Sequence, residues 1–197
     1  MPRPRSITDK EINEAAREVF VEKGPSASVS LIAEKLGVSH AALFSRAGSK
    51  QQLMMHALSP GRPRAVDWLA EGPPEEEIEE RLFEILLDLM TFLHRVIPNL
   101  VILKAAGQSI GEPPPDGGPP PPVALRLAMS SWLERAVEAK SIGPIHPTSV
   151  AEGLLGAMEA RCFNVYLGGS DFAVGEDEEF LRALIVGLLG ITKEQQR

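Results

Sequence analysis

Residues 28–50, SVSLIAEKLGVSHAALFSRAGSK, constrain the fold of this 197-residue chain more than any other segment. Ser28 is a favourable N-cap for a first short helix, and Ser39 is a favourable N-cap for a second. Between them, Gly37 can adopt the left-handed conformation that a tight turn requires. The apolar positions that would face a core are Ile32, Ala33, Leu36, Val38 and Leu43. Two short helices joined by such a turn form a helix-turn-helix.

The outer face of the second helix carries small or hydrogen-bonding side chains. They are His40, Ala41, Ala42, Ser45 and Arg46. A solvated surface helix more often carries Glu and Lys there, whereas a helix that enters the DNA major groove needs close approach and a few donors for base edges. The capped N-termini at Ser28 and Ser39 are suited to lie near phosphates. The pattern therefore predicts DNA binding.

Charge is divided unevenly along the chain. Residues 1–50 carry eight Lys or Arg and six acids, a net charge of +2, while the other 147 residues carry −9. A polyanion can therefore dock on the N-terminal quarter but is repelled by the rest. The overall net charge of −7 does not exclude DNA binding, but it requires that binding to be local.

The segment 7–58 resembles the DNA-binding domain of the TetR family of transcriptional regulators. The resemblance rests on EVFVEKG at the end of an opening helix, on LIAEKLGVSHAALFSRAGSK and on the following QQLMMHAL. It implies that Ser39 to Arg46 is the recognition helix and that Lys50 contacts a phosphate. Phe44 stands where family members usually have a phosphate-binding tyrosine, and Gly48 stands where they often have proline. The resemblance further implies a homodimer and a pseudo-palindromic DNA operator.

Helical periodicity recurs along the whole chain, so we predict an all-α fold. A helix from Thr8 to Lys23 completes a three-helix N-terminal domain over residues 1–50, and a larger helical bundle is expected over 51–197. Further helices are predicted at 50–58, 75–95, 98–110, 123–140, 147–167 and 176–193. Seven prolines between positions 113 and 122 predict a non-helical segment of undefined role there.

The last two predicted helices, 147–167 and 176–193, carry apolar residues on more than one face. A helix that is apolar on two faces is buried on two sides, and the second side can meet another subunit. The TetR resemblance implies that these helices form a four-helix dimer interface with a twofold mate.

The bundle is the candidate binding region for a small hydrophobic or amphipathic ligand. Its large or adaptable side chains are Trp68, Phe83, Leu86, Met90, Leu103, Trp132, Met158 and Phe163. Glu159 and Arg161 are possible polar anchors for that ligand. The alternatives are that the apolar groups simply fill the core, and that the two charged groups form an internal ion pair or lie in solvent.

Motifs for other functions are missing from the sequence. It has no HExxH, GxSxG, P-loop or GxGxxG, and its four histidines lack metal-ligand spacing, so we expect no enzyme, cofactor or metal. The single Cys162, the charged N-terminus and the short apolar runs favour a cytoplasmic protein without a membrane segment. We therefore predict a ligand-responsive DNA-binding repressor. The alternative is a helical carrier or interaction protein that does not bind DNA.

Overall fold

The computed structural model describes residues 7–109, 117–173 and 175–190. These residues form nine α-helices and one 3-10 turn at Ser170–Phe172, without a strand, which confirms the all-α prediction. The α-helices are α1 Asp9–Lys23, α2 Val29–Leu36, α3 His40–Ala47, α4 Lys50–Leu58, α5 Ala65–Glu71, α6 Ile78–Ala105, α7 Pro121–Glu138, α8 Pro147–Gly168 and α9 Asp177–Leu189.

Side-chain caps begin the first four helices. Thr8 and Glu11 form a reciprocal capping box at α1, in which the Glu11 carboxylate accepts from the Thr8 backbone N–H at 2.8 Å. Ser28 and Ser39 accept backbone N–H groups at the starts of α2 and α3, as the sequence predicts. Ser49 and Gln52 form a second capping box at α4, which the S-x-x-Q spacing could have indicated.

The N-terminal compact unit comprises residues 1–61 and 98–110. Its apolar core is Ile12, Ala15, Ala16, Val19, Phe20, Ala27, Val29, Ile32, Ala33, Leu43, Leu53, Met54, Ala57, Leu58, Ile102 and Leu103. The sequence places a domain boundary after residue 50, but the compact unit extends further because α4 buries one face in this core. The end of α6 belongs to the same unit.

Helix α6 is continuous, so the prediction of separate helices at 75–95 and 98–110 is wrong. Pro98 lies inside α6 and removes one backbone donor, yet apolar residues on both sides of it are buried and hold the helix together. By length and mean hydropathy (1.6 over 18 residues), α6 could span a membrane. Its buried side chains, including Leu82, Leu86 and Leu89, instead identify it as a core helix of a helical protein.

The second compact unit comprises residues 62–97 and 111–197. Helix α7 packs against α5 and α8, and α8 packs against α9. Arg135 of α7 donates to the Leu69 carbonyl at 2.6 Å and so satisfies the C-terminal end of α5. Helix α7 begins at Pro121, two residues earlier than predicted, because proline is tolerated in the first helical turn. The predicted loop at 113–116 and the end of the last helix, 191–193, lie outside the described residues.

Candidate nucleic-acid interface

The turn between α2 and α3 has the geometry that the sequence predicts. Gly37 has φ +67° and ψ 32°, the left-handed conformation. Its backbone N–H donates to the Glu34 carbonyl at 3.0 Å, and the Val38 N–H donates to the Ala33 carbonyl at 3.0 Å. These two bonds close the end of α2 and direct the chain into α3.

Helix α3 buries one side chain and exposes its opposite face. Leu43 is 1% exposed in the N-terminal core. All five outer-face residues predicted to contact DNA are exposed, namely His40, Ala41, Ala42, Ser45 and Arg46. Phe44 is partly buried against the core, and the His40 ring meets it edge-on with centroids 4.5 Å apart. Phe44 therefore supports the imidazole that begins the exposed face.

Arg46 does not point freely away from the protein. Its guanidinium donates to the Asp9 carboxylate at 2.6 Å and also to the backbone carbonyl of Ile7. Both partners lie at the beginning of α1. The contact links the last turn of α3 to the first turn of α1, which sequence spacing did not indicate. To contact a DNA base, the Arg46 guanidinium must break its hydrogen bonds to Asp9 and Ile7.

Lys50 is the first residue of α4, directly after the Ser49 N-cap. It lies just beyond the end of α3, where Gly48 has φ +73°. Proline cannot adopt a positive φ, so this turn does not accommodate the proline that the TetR resemblance leads one to expect there. Together, Ser28, Ser39 and Lys50 place two capped helix starts and one cation at the helix-turn-helix.

The candidate ligand residues do not all lie together. In the second unit, Phe83, Leu86, Met90, Trp132 and Met158 are buried, each at most 5% exposed. Leu103 instead packs in the N-terminal core, because the continuous α6 carries it into that unit. Phe163 is 44% exposed on α8 and so is not part of a buried lining.

Trp68 lies partly exposed between two guanidinium groups. Arg64 and Arg81 lie over its ring at 5.3 Å and 5.6 Å from the centroid. These three residues contribute to an open groove of about 600 Å³ along α5 and α6. Trp68 is therefore partly open to solvent, unlike the buried apolar candidates of this unit.

Both candidate polar anchors form ion pairs within the protein. Glu159 accepts from Arg126 at 2.8 Å. The buried Arg161 donates to Asp177 at 2.7 Å and to the Gly175 carbonyl at 2.6 Å, and His94 lies 2.8 Å from the other Asp177 oxygen. Burial raises the pKa of Asp177, but the hydrogen bonds from Arg161 and His94 outweigh it and hold that pKa below its usual range.

Nothing in the described residues suggests metal or thiol chemistry. No group of three His, Cys, Asp or Glu side chains there is arranged to hold a metal ion. Cys162 is 1% exposed, and its thiol lies 3.2 Å from the Met90 sulfur. Burial, with a smaller effect from Asp177, raises the pKa of Cys162 to about 12, so the thiol stays protonated at neutral pH.

Residues 12–57 match the family model described as "Bacterial regulatory proteins, tetR family". The match begins in α1 and ends in α4, and so includes the entire helix-turn-helix. The chain carries a TetR-family DNA-binding domain. The proteins that this model describes are bacterial regulatory proteins. No curated protein matches the chain at a significant level.

Solved structures share the fold over nearly the full length of both chains. A TetR-family regulator from Mesorhizobium loti is 17% identical, with a TM-score of 0.61 over 92% of this chain and 93% of that one. PfmR from Thermus thermophilus, also of the TetR family, is 22% identical, with a TM-score of 0.56 over 95% and 99%. A third protein, described in connection with control of antibiotic production by bacterial hormones, is 25% identical, with a TM-score of 0.61 over 94% and 99%.

Proposed function

We propose that this chain is a cytoplasmic homodimeric repressor of the TetR family that a small apolar or amphipathic ligand releases from a pseudo-palindromic operator. The observation that carries the DNA-binding part is the exposed face of α3. From His40 to Arg46 it carries no carboxylate, although the chain as a whole is acidic. An acidic protein that leaves one short helix face free of carboxylates presents a local site for a polyanion.

Different residues of this face serve different contacts. His40 and Ser45 offer hydrogen-bonding groups for base edges, and Ala41 and Ala42 allow the helix to approach the groove closely. Lys50 and the helix starts at Ser28 and Ser39 contact phosphates. These contacts position the protein on the DNA but do not distinguish one base sequence from another. Phe44 supports this face through its contact with His40.

Dimerisation through α8 and α9 is supported by apolar side chains that remain exposed in the single chain. On α8, Phe163 is 44% exposed, Tyr166 38% and Leu167 65%. On α9, Val186 is 48% exposed. The opposite faces of both helices are buried, with Met158 and Leu181 at 0%. Helices that are apolar on an exposed and on a buried face fit an interface with a second copy.

Ligand release is supported by the apolar interior of the second unit and by the two-unit fold. A ligand changes DNA affinity only if it binds the DNA-competent and DNA-incompetent arrangements with different affinities. Ligand and operator must then weaken each other's binding equally. The third solved structure shares the fold and is described in connection with control of antibiotic production by bacterial hormones.

Fluorescence anisotropy tests this function with the purified full chain and labelled DNA from upstream of its own gene. Random duplex serves as competitor, and salt is varied. We expect saturable binding that survives the competitor and that is lost in Ala42→Glu, which adds a carboxylate to the α3 face. Ala70→Glu, at an exposed position of α5, is the matched control and should bind like the wild type. Equal binding by both variants would overturn the assignment of α3.

A further inference from the structure

The start of α3 exposes two neighbouring methyl groups, those of Ala41 and Ala42. An α-helix has 3.6 residues per turn, so Ala41 and Ser45, two positions before and two after the buried Leu43, lie on the side of α3 opposite to it. In helix-turn-helix proteins, the N-terminal residues of the second helix contact the base edges. The two alanine methyl groups therefore occupy the part of α3 that comes closest to the bases.

Side chains that identify a base by hydrogen bonds are scarce in α3. Arginine or lysine pairs with guanine, asparagine or glutamine with adenine, and a carboxylate with cytosine. The sequence of α3, HAALFSRA, contains no Lys, Asn, Gln, Asp or Glu. Its one arginine, Arg46, lies in the last turn and is bonded to Asp9 and Ile7. Apolar contact is therefore the means of base selection that the start of this helix offers.

Thymine is the one DNA base that presents an apolar group in the major groove, its 5-methyl group. Contact between that group and an alanine methyl is favourable, because both apolar surfaces leave water together. Against another base edge, the same alanine would cover hydrogen-bonding groups without giving them a new partner, which is costly. An exposed pair of alanines on a helix in the major groove therefore favours thymine over the other three bases.

We propose that Ala41 and Ala42 select thymine in each operator half-site, through contact of their side-chain methyl groups with thymine 5-methyl groups. This inference rests on the DNA-binding part of the proposed function, in which α3 enters the major groove, and it adds a base preference to that function. Duplexes that the full chain selects from a random pool should share thymine at fixed positions of each half-site.

Deoxyuridine tests the methyl group alone, because it forms the same base pair as thymidine and lacks only the 5-methyl group. Thymines of a selected duplex are replaced one at a time, at equivalent positions of both half-sites, and binding of the full chain is measured by fluorescence anisotropy. At the contacted positions, affinity should fall about fourfold for each methyl removed, the factor that corresponds to one buried methyl group. Full affinity with deoxyuridine at every position would overturn this inference alone. Failure to select any duplex would overturn the proposed function as well.

Glycine variants show whether the alanines make the contact. Ala41→Gly or Ala42→Gly should bring the fourfold preference for thymidine over deoxyuridine close to one at the position that the residue contacts, because the partner methyl is gone. Glycine at an exposed helix position is only mildly destabilising, so both variants should fold. Ala47→Gly makes the same change at the partly buried end of α3, and this matched control should keep the preference. A preference that persists in both test variants would assign it to DNA shape and overturn the proposal.

Discussion

The guanidinium of Arg46 and the carboxylate of Asp9 meet at 2.6 Å, joining the last turn of α3 to the first turn of α1. Both side chains are exposed to solvent, 42% for Arg46 and 79% for Asp9. A base or phosphate that binds Arg46 must therefore compete with an intramolecular carboxylate. Because an exposed ion pair contributes only about 0.2–1 kcal/mol, that competition is modest and reversible.

We expect Asp9→Asn to strengthen operator binding about two- to fivefold for each protomer, because it weakens the ion pair that holds Arg46 by an amount typical of exposed ion pairs. The measurement is anisotropy with a duplex that the wild-type protein has selected from a random pool. Glu34→Gln removes a carboxylate from the exposed surface of α2 and is the matched control for the change in net charge.

The effect of Asp9→Asn should depend on Arg46. In an Arg46→Ala background, Asp9→Asn should strengthen binding no more than Glu34→Gln does, because the guanidinium that it releases is gone. Arg46→Ala alone should cost about 1–3 kcal/mol of discrimination between operator and random DNA if Arg46 contacts a base. Equal losses on both DNAs would show that Arg46 only positions α3.

Lys50→Ala should weaken binding to all DNA sequences alike. Lys50 stands at the start of α4, beside the end of α3, where we propose that it neutralises a phosphate. Each phosphate contact contributes about 0.9 to the slope of log affinity against log salt, so loss from both protomers of a dimer should flatten the slope by about two. Lys23→Ala, which removes an exposed lysine paired with Glu22, is the control and should change the slope less. A change in sequence preference instead would contradict this role.

Local signals predicted the N-terminal unit well. Thr8, Ser28 and Ser39 are caps, and Gly24 and Gly37 end α1 and α2, because each of these roles depends on residues within four positions. The core-facing position of Leu43 follows in the same way from helical spacing.

Contacts between distant residues could not be predicted from spacing. The pairing of Arg46 with Asp9 joins residues 37 positions apart, and that of Arg161 with Asp177 depends on how α8 and α9 pack. The sequence predicts a break at Pro98, because proline disfavours a helix interior. In the structure α6 continues through Pro98, because apolar residues on both sides of it are buried. Leu103, which the sequence analysis names as a candidate ligand-binding residue, packs in the N-terminal core.

We expect Val186→Glu to dissociate the proposed dimer into monomers. Val186 is 48% exposed on α9, and a carboxylate there would be buried without a partner in an interface between two copies. Sedimentation velocity should show the loss of dimer, and operator affinity should fall because two half-sites are no longer bound together. Leu127→Glu, at a 58% exposed position of α7, is the matched control and should stay dimeric. Dissociation by Leu127→Glu alone would move the interface to α7.

Asp177→Ala should destabilise the second unit by about 1–3 kcal/mol at neutral pH, because the buried Arg161 loses its charged partner. Asp171→Ala, at an exposed position in the preceding 3-10 turn, is the control and should unfold like the wild type. Since the pKa of Asp177 is lowered in the folded protein, its contribution to stability is fully present above the carboxyl range of unfolded chains, about pH 4. That contribution is lost as the pH falls through the folded-state pKa. Urea unfolding curves at pH 7, 4 and 3 should therefore show a difference between wild type and Asp177→Ala that shrinks with acidification, and a constant difference would contradict the ion pair.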